Sequence, residues 1–160
     1  MAKHKLGVVS PEEVHALLSP TAQAESVGQL KWDEQKSGCY EGVLEVTTSV
    51  SNCERSSLRI YVVRLAASEF SLQYLIGTER SRRVAIRRLD VNGDHKDLIN
   101  TTHKHKFNAE TGHESAYVPT DIPNVDLGPT VPIGTYQQIF EAFASECHVS
   151  LDGDYWSEPW

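Results

Sequence analysis

Four histidines fall within nineteen residues of this chain, at His95, His103, His105 and His113. Imidazole changes charge near neutrality and, when neutral, ligates metals, so such a cluster can do two kinds of chemistry. The first is acid–base catalysis on RNA or another phosphodiester. One of His103 and His105 would take the 2′-OH proton and the other would protonate the leaving oxygen. Lys104 and either Arg87 or Arg88 would stabilise the charged phosphorane, with His113 as a further imidazole. The catalytic set on this reading is His103, His105, Lys104, His113 and Arg88, and it requires no cofactor. The second chemistry is binding of a divalent transition metal. Two imidazoles in a His-x-His pattern meet one ion, and His95, His113 or Glu110 completes the set. Histidines beside a turn can also simply satisfy loop carbonyls and carboxylates.

The elements around the cluster decide what meets what. On a strand, residues two apart share a face, about 7 Å apart. His103 and His105 would then point one way, and Lys104 and Lys106 the other. Arg87 and Arg88 would likewise face opposite sides, so only one of them can join the histidines. Asn92-Gly93 is a strong turn signal and is expected to end the preceding strand. A turn near Gly112 would return His113 or Glu114 towards His103.

The rest of the chain alternates in the manner of strands. Leu30 to Glu34 and Cys39 to Thr48 form an expected hairpin around Lys36-Ser37-Gly38. The polar stretches up to Val27 and from Ser49 to Ser57 are expected loops. Leu58, Ile60 and Val62, then Phe70, Leu72, Tyr74 and Ile76, then Val84, Ile86 and Leu89 mark three further strands. Two short ones follow, His103 to Phe107 and Ser115 to Val118. Ser10-Pro11-Glu12-Glu13 is a capping box with proline at the first helical position, opening a short helix with Val14, Leu17 and Leu18 on its apolar side. The stretch from Pro119 to Pro132 holds four prolines and reads as a loop. A second helix from about Ile133 to His148 aligns Tyr136, Ile139, Phe140, Phe143 and Cys147, with Thr135-x-x-Gln138 as its capping box. The expected fold is α+β: one antiparallel sheet of about five to seven strands with an N-terminal and a C-terminal helix. Residues 1–160 form one domain, with 1–9 and 152–160 as candidate flexible tails.

Composition narrows the function classes. The formal charge of −7 is uneven. Residues 80–113 carry a net +4, whereas residues 114–160 hold eight acids and no lysine or arginine. Polyanion binding by the whole chain is disfavoured, while a local anion site in the basic middle is not. Arg80, Arg82, Arg83, Arg87 and Arg88 form a candidate phosphate stripe. The acidic last third is a candidate surface for a basic protein partner, and the tail aromatics Tyr155, Trp156 and Trp160 are candidate docking groups. Cys39, Cys53 and Cys147 show no CxxC spacing, which argues against a disulfide scaffold or a zinc knuckle. No apolar run approaches the roughly 18 residues of a membrane span, and no long apolar stretch follows the charged start. A cytoplasmic protein with reduced thiols and no membrane contact is the expectation.

Two resemblances bear on the cluster. His103-Lys104-His105 with Glu110, and Pro132-Ile133-Gly134, resemble the metal motifs of cupins. Gln137 stands where the last cupin histidine belongs, Gly128 lies too close to Pro132, and a helix is expected where a cupin has strands, so nothing is carried over. The run Arg87-Arg88-Leu89-Asp90-x-Asn92-Gly93-x-His95, then His103-x-His105-x-Phe107 and Ala116-Tyr117, is similar to a small uncharacterised bacterial and prophage-associated domain family. That resemblance covers residues 58–118 and departs at Phe107 and at His113-Glu114-Ser115. It implies a bacterial or phage origin and brings no activity. Three functions remain in view. The first is a conflict or toxin–antitoxin type of protein acting on RNA through the histidines. The second is an acidic interaction protein, inhibitor-like or antitoxin-like. The third is a metal-binding protein using the His-x-His strand.

Overall fold

The structure is a computed structural model. It describes residues 10–50, 53, 55–77, 84–95, 97–108, 113–122, 124–128 and 130–160, with 95, 106–108 and 113–115 described by their backbone alone. The chain enters through helix α1 (Pro11–Leu17). Ser10 accepts from the Glu13 amide while the Glu13 carboxylate accepts from the Ser10 amide, so the expected capping box is formed in both directions. Val14 and Leu17 are buried beneath it. A 3-10 turn (Pro20–Ala22) follows, and Gln23 takes a left-handed conformation that turns the chain into the sheet.

Seven strands run as an antiparallel meander: β1 (Ala24–Lys36), β2 (Cys39–Thr47), β3 (Ser56–Val63), β4 (Phe70–Ile76), β5 (Val84–His95), β6 (Leu98–Asn108) and β7 (His113–Tyr117). After helix α2 (Thr135–Glu146), the two-residue β8 (Val149–Ser150) pairs parallel to β1. Among the described residues the result is one eight-stranded sheet in the order β7-β6-β5-β4-β3-β2-β1-β8. The α+β class stands as expected, and the sheet is one strand larger. A strand of two residues carries no periodic signal, so β8 was invisible to pattern. The start of β1 was hidden for a different reason. Its inward positions are Ala24 and Ser26, too small to mark an apolar face.

Alternation fixes the core face of the sheet. Leu58, Ile60 and Val62 of β3 lie opposite Tyr74, Leu72 and Phe70 of β4, and Leu72 and Phe70 lie opposite Leu89 and Val91 of β5. All of these are buried in one cluster with Tyr136, Phe140, Phe143 and Ala144 of α2. Truncating a buried phenylalanine of this kind costs about 3–5 kcal/mol, so α2 is firmly seated. Its start differs from expectation. Gly134, at φ 91°, is the N-cap, and no side chain caps the helix, so Thr135 and Gln138 form no capping box. The helix after Pro132 also confirms the departure from a cupin.

Residues 152–160 are held against β1 rather than free. The Leu30 amide donates to the Tyr155 carbonyl, Trp32 Nε1 donates to the Ser157 carbonyl, and Trp160 packs on Tyr40 and Tyr136. No described helix is long and apolar enough to cross a membrane.

Candidate metal centre

The site lies on the ladder between β5 and β6. Its register sets Arg88 opposite His105 and Asp90 opposite His103. Period two then gathers Arg88, Asp90, His103 and His105 on one face. Arg87, Leu89 and Lys104 fall on the other, with the core. The expected division of His103 and His105 from Lys104 is observed, and Arg88 is the arginine that joins the histidines. The turn expected at Asn92-Gly93 is not a hairpin end. β5 runs on to His95, and the pair sits in a bulge where the register shifts between Asp90 and Gly93.

That bulge shapes the site. Asn92 adopts φ 54°, and its Nδ2 donates to the carbonyls of Ser68 and Val125 at 3.0 and 2.6 Å. Gly93 makes the close approach that follows. A Cβ there would stand 3.0 Å from Asp90 Cβ and 3.4 Å from His103 Cε1. The absence of a side chain at 93 therefore lets Asp90 and His103 close on each other.

Three side chains converge on one oxygen. Asp90 Oδ2 lies 3.0 Å from His105 Nε2, 3.2 Å from His103 Nε2 and 3.0 Å from Arg88 Nε. The two imidazole rings are 4.9 Å apart. Asp90, His103 and His105 are all buried, with His103 at 0% exposure. Burial alone would raise the Asp90 carboxyl pKa. The hydrogen bond from His105 and the charge of Arg88 outweigh it and hold the group below the usual carboxylate range, so Asp90 is an anion at neutral pH.

The hydrogen bonding of His103 is specific. Its Nδ1 is 2.7 Å from the Thr101 carbonyl oxygen. A carbonyl only accepts, so Nδ1 carries the hydrogen and donates. A neutral ring would then aim the lone pair of Nε2 at the Asp90 carboxylate. That contact is favourable only if a proton or a metal cation lies at Nε2. Donation of the remote ring nitrogen to a backbone carbonyl is also the usual support of a metal-bound histidine. Two of the three spacings fit an ion as well. With bonds of about 2.0–2.1 Å, neighbouring ligand atoms lie about 2.8–3.0 Å apart around an octahedral ion and about 3.3–3.4 Å apart around a tetrahedral one. The carboxylate-to-imidazole separations are 3.0 and 3.2 Å. The three candidate ligand atoms all lie within 4.8 Å of one another.

The other residues expected at the site are elsewhere or undescribed. Lys104 is buried on the core face, where its Nζ meets Asp121 at 3.0 Å and Glu146 at 2.6 Å. Arg87 also bonds Glu146, and donates to the Tyr117 hydroxyl at 2.9 Å. His113 pairs with Asn108, five residues along β6 from His103, so the β7 hairpin does not bring it back to the histidine pair. Ala116 stands opposite His105 instead. His95 pairs with Leu98 at the other end of the ladder, and its side chain lies outside the described atoms. Glu110 and Arg80, Arg82 and Arg83 lie outside the described residues. Among the described residues, the third member of the candidate centre is Asp90, to which the sequence pattern assigned no role. Its signal was present. A carboxylate two residues from Arg88 on the same strand should lie on the arginine's face. Burial pushes the Cys147 thiol up to about 12, and all three cysteines are buried, free thiols.

Comparison with protein-family models, curated proteins and solved structures finds no match.

Proposed function

We propose that this protein binds a divalent transition-metal ion through Asp90, His103 and His105. The observation that carries the reading is the two-sided placement of His103. One ring nitrogen donates to the Thr101 carbonyl, and the other faces the carboxylate oxygen that His105 also faces. Two imidazoles and a carboxylate suit zinc, iron(II), cobalt(II) or nickel(II) better than calcium or magnesium, which prefer oxygen. Bound there, the ion would supply a Lewis acid. The chain's own residues would orient it, through the Thr101 carbonyl behind His103 and through Arg88 behind Asp90.

Acid–base cleavage of RNA by His103 and His105 ranks below this reading. It needs an imidazole nitrogen where a ribose can reach it, and both rings are buried. Docking of a basic partner on the acidic last third also ranks lower. Asp121 and Glu146 already pair with Lys104 and Arg87, and Glu141 accepts from the Tyr155 hydroxyl. Part of that acidity neutralises the chain's own basic middle.

The test is elemental analysis of tag-free protein, paired with thermal unfolding with and without added zinc, cobalt, nickel or iron(II). One ion per chain and a raised Tm are expected, both lost in His103→Gln and in His105→Gln. A chain that takes up none of these ions and shows no shift in Tm would sink the reading.

A further inference from the structure

Three protein donors leave an ion of this kind with at least one further position to fill. The charge around that position is uneven. Asp90 supplies one negative charge, Arg88 one positive charge, and a divalent ion two more, leaving a partly buried site with an excess of about two positive charges if the imidazoles are neutral. Arg88 is the member that reaches solvent. Its side chain is 37% exposed, against 10% for Asp90 and 4% or less for the two histidines. Only its Nε is engaged, on Asp90 Oδ1 and Oδ2 at 3.2 and 3.0 Å. Its two terminal nitrogens meet no partner among the described residues and remain available as donors.

We infer that the centre takes a small anion as an additional ligand, bound to the metal and hydrogen-bonded by the Arg88 guanidinium. The ligand class is a small carboxylate, an inorganic oxyanion or a pseudohalide. Size follows from burial. Both imidazoles are enclosed and Arg88 is the most exposed of the four groups, which suits a few-atom ligand better than a polymer. Charge follows from the excess just counted, and a planar guanidinium favours an oxyanion that can accept two hydrogen bonds. On this account Arg88 has two roles. Its Nε holds Asp90 in place, and its outer edge selects what completes the ion's coordination. The inference rests on the metal reading above and adds to it an exchangeable position and a chemical class for what fills it.

Cobalt(II) reports directly on its own coordination, so the full-length chain would be loaded with cobalt. Its visible spectrum would then be followed during titration with azide, acetate and inorganic phosphate. A saturable change in the bands is expected with at least one of them. Arg88→Gln, loaded with excess cobalt to offset the lost support at Asp90, should weaken anion binding by about tenfold or more, the loss expected for a charge-assisted hydrogen bond. Arg88→Lys, which keeps the charge without the fork, should recover part of that loss. A cobalt-replete wild-type protein indifferent to all three anions would overturn the inference and leave a closed, structural metal centre. Wild-type anion affinity in cobalt-loaded Arg88→Gln would overturn the role of Arg88 in selecting the anion. Failure to take up cobalt at all would instead strike the metal reading, and this inference with it.

Discussion

The two faces of the β5–β6 ladder are built from alternating residues of the same strands, yet they treat charge in opposite ways. On the core face, Arg87 and Lys104 meet Glu146 and Asp121, so two cations face two carboxylates and the group is closed. On the other face, one carboxylate serves Arg88 and two imidazoles together. The first arrangement satisfies itself and ties α2 and the loop after β7 to the sheet. The second has more nitrogen around its oxygen than one carboxylate can neutralise if both rings are protonated, and it suits an added cation if they are not. Each face holds enclosed groups and one more exposed member, Asp121 on the first and Arg88 on the second. What separates a structural charge cluster from a candidate functional one is whether the partners balance.

Four substitutions would break or sharpen this contrast. The largest effect on stability is expected from Glu146→Ala. It removes the carboxylate that Arg87 and Lys104 share, leaving these largely buried cations only the Tyr117 hydroxyl and Asp121, and should cost up to about 3–5 kcal/mol in urea unfolding. Metal content should be unchanged. Loss of the ion in this variant would show that the two faces act as one unit. Asp90→Asn should cost less, about 1–3 kcal/mol without metal, because the amide keeps an oxygen that the neighbouring donors can still bond. It should also abolish metal binding in elemental analysis, and retained stoichiometric metal would remove Asp90 from the centre.

Gly93→Ala tests the bulge. The new Cβ would meet Asp90 Cβ at 3.0 Å, so the two must move apart. Metal affinity by competition with a chelator should fall about 10–100-fold, as for other losses of support around a ligand. Unchanged affinity would show that the bulge is not what holds Asp90 and His103 together.

The smallest effect is expected from Asp121→Asn. The Lys104 hydrogen bond holds the Asp121 carboxyl below the usual carboxylate range. A depressed carboxyl adds stability above its unfolded pKa and loses it as pH falls through the folded one. The wild type should therefore lose this contribution on acidification, and the variant should lack that part of the slope. Because Asp121 is 60% exposed, solvent screening should keep the effect below about 1 kcal/mol at neutral pH. A larger loss, or an unaltered slope, would contradict the pairing.

Much of the fold was legible in the amino-acid pattern. Leu58, Ile60 and Val62 alternate strictly, and so do Phe70, Leu72, Tyr74 and Ile76, because one side of each strand meets the core. Ser10 and Glu13 announce their helix because capping is local. The site was half legible. His103 and His105 were found and correctly set apart from Lys104, since facing follows from period two alone. Asp90 was missed, because Asp90-x-Asn92-Gly93 carries the composition of a hairpin turn. In the folded chain Asn92 is instead held by the carbonyls of Ser68 and Val125, far away in sequence.

The sequence by itself thus determined which residues can share a face. Side-chain direction along a strand depends only on spacing, and the chain carries that information locally. Register across the ladder was decided by the tertiary structure. The bulge after Asp90 sets that carboxylate opposite His103, and the length of the β6–β7 hairpin sets Ala116, not His113, opposite His105. Register depends on where an extra residue is absorbed, and here the anchoring of Asn92 by distant loops and the missing side chain of Gly93 absorb it. Those are long-range contacts, and no local pattern encodes them.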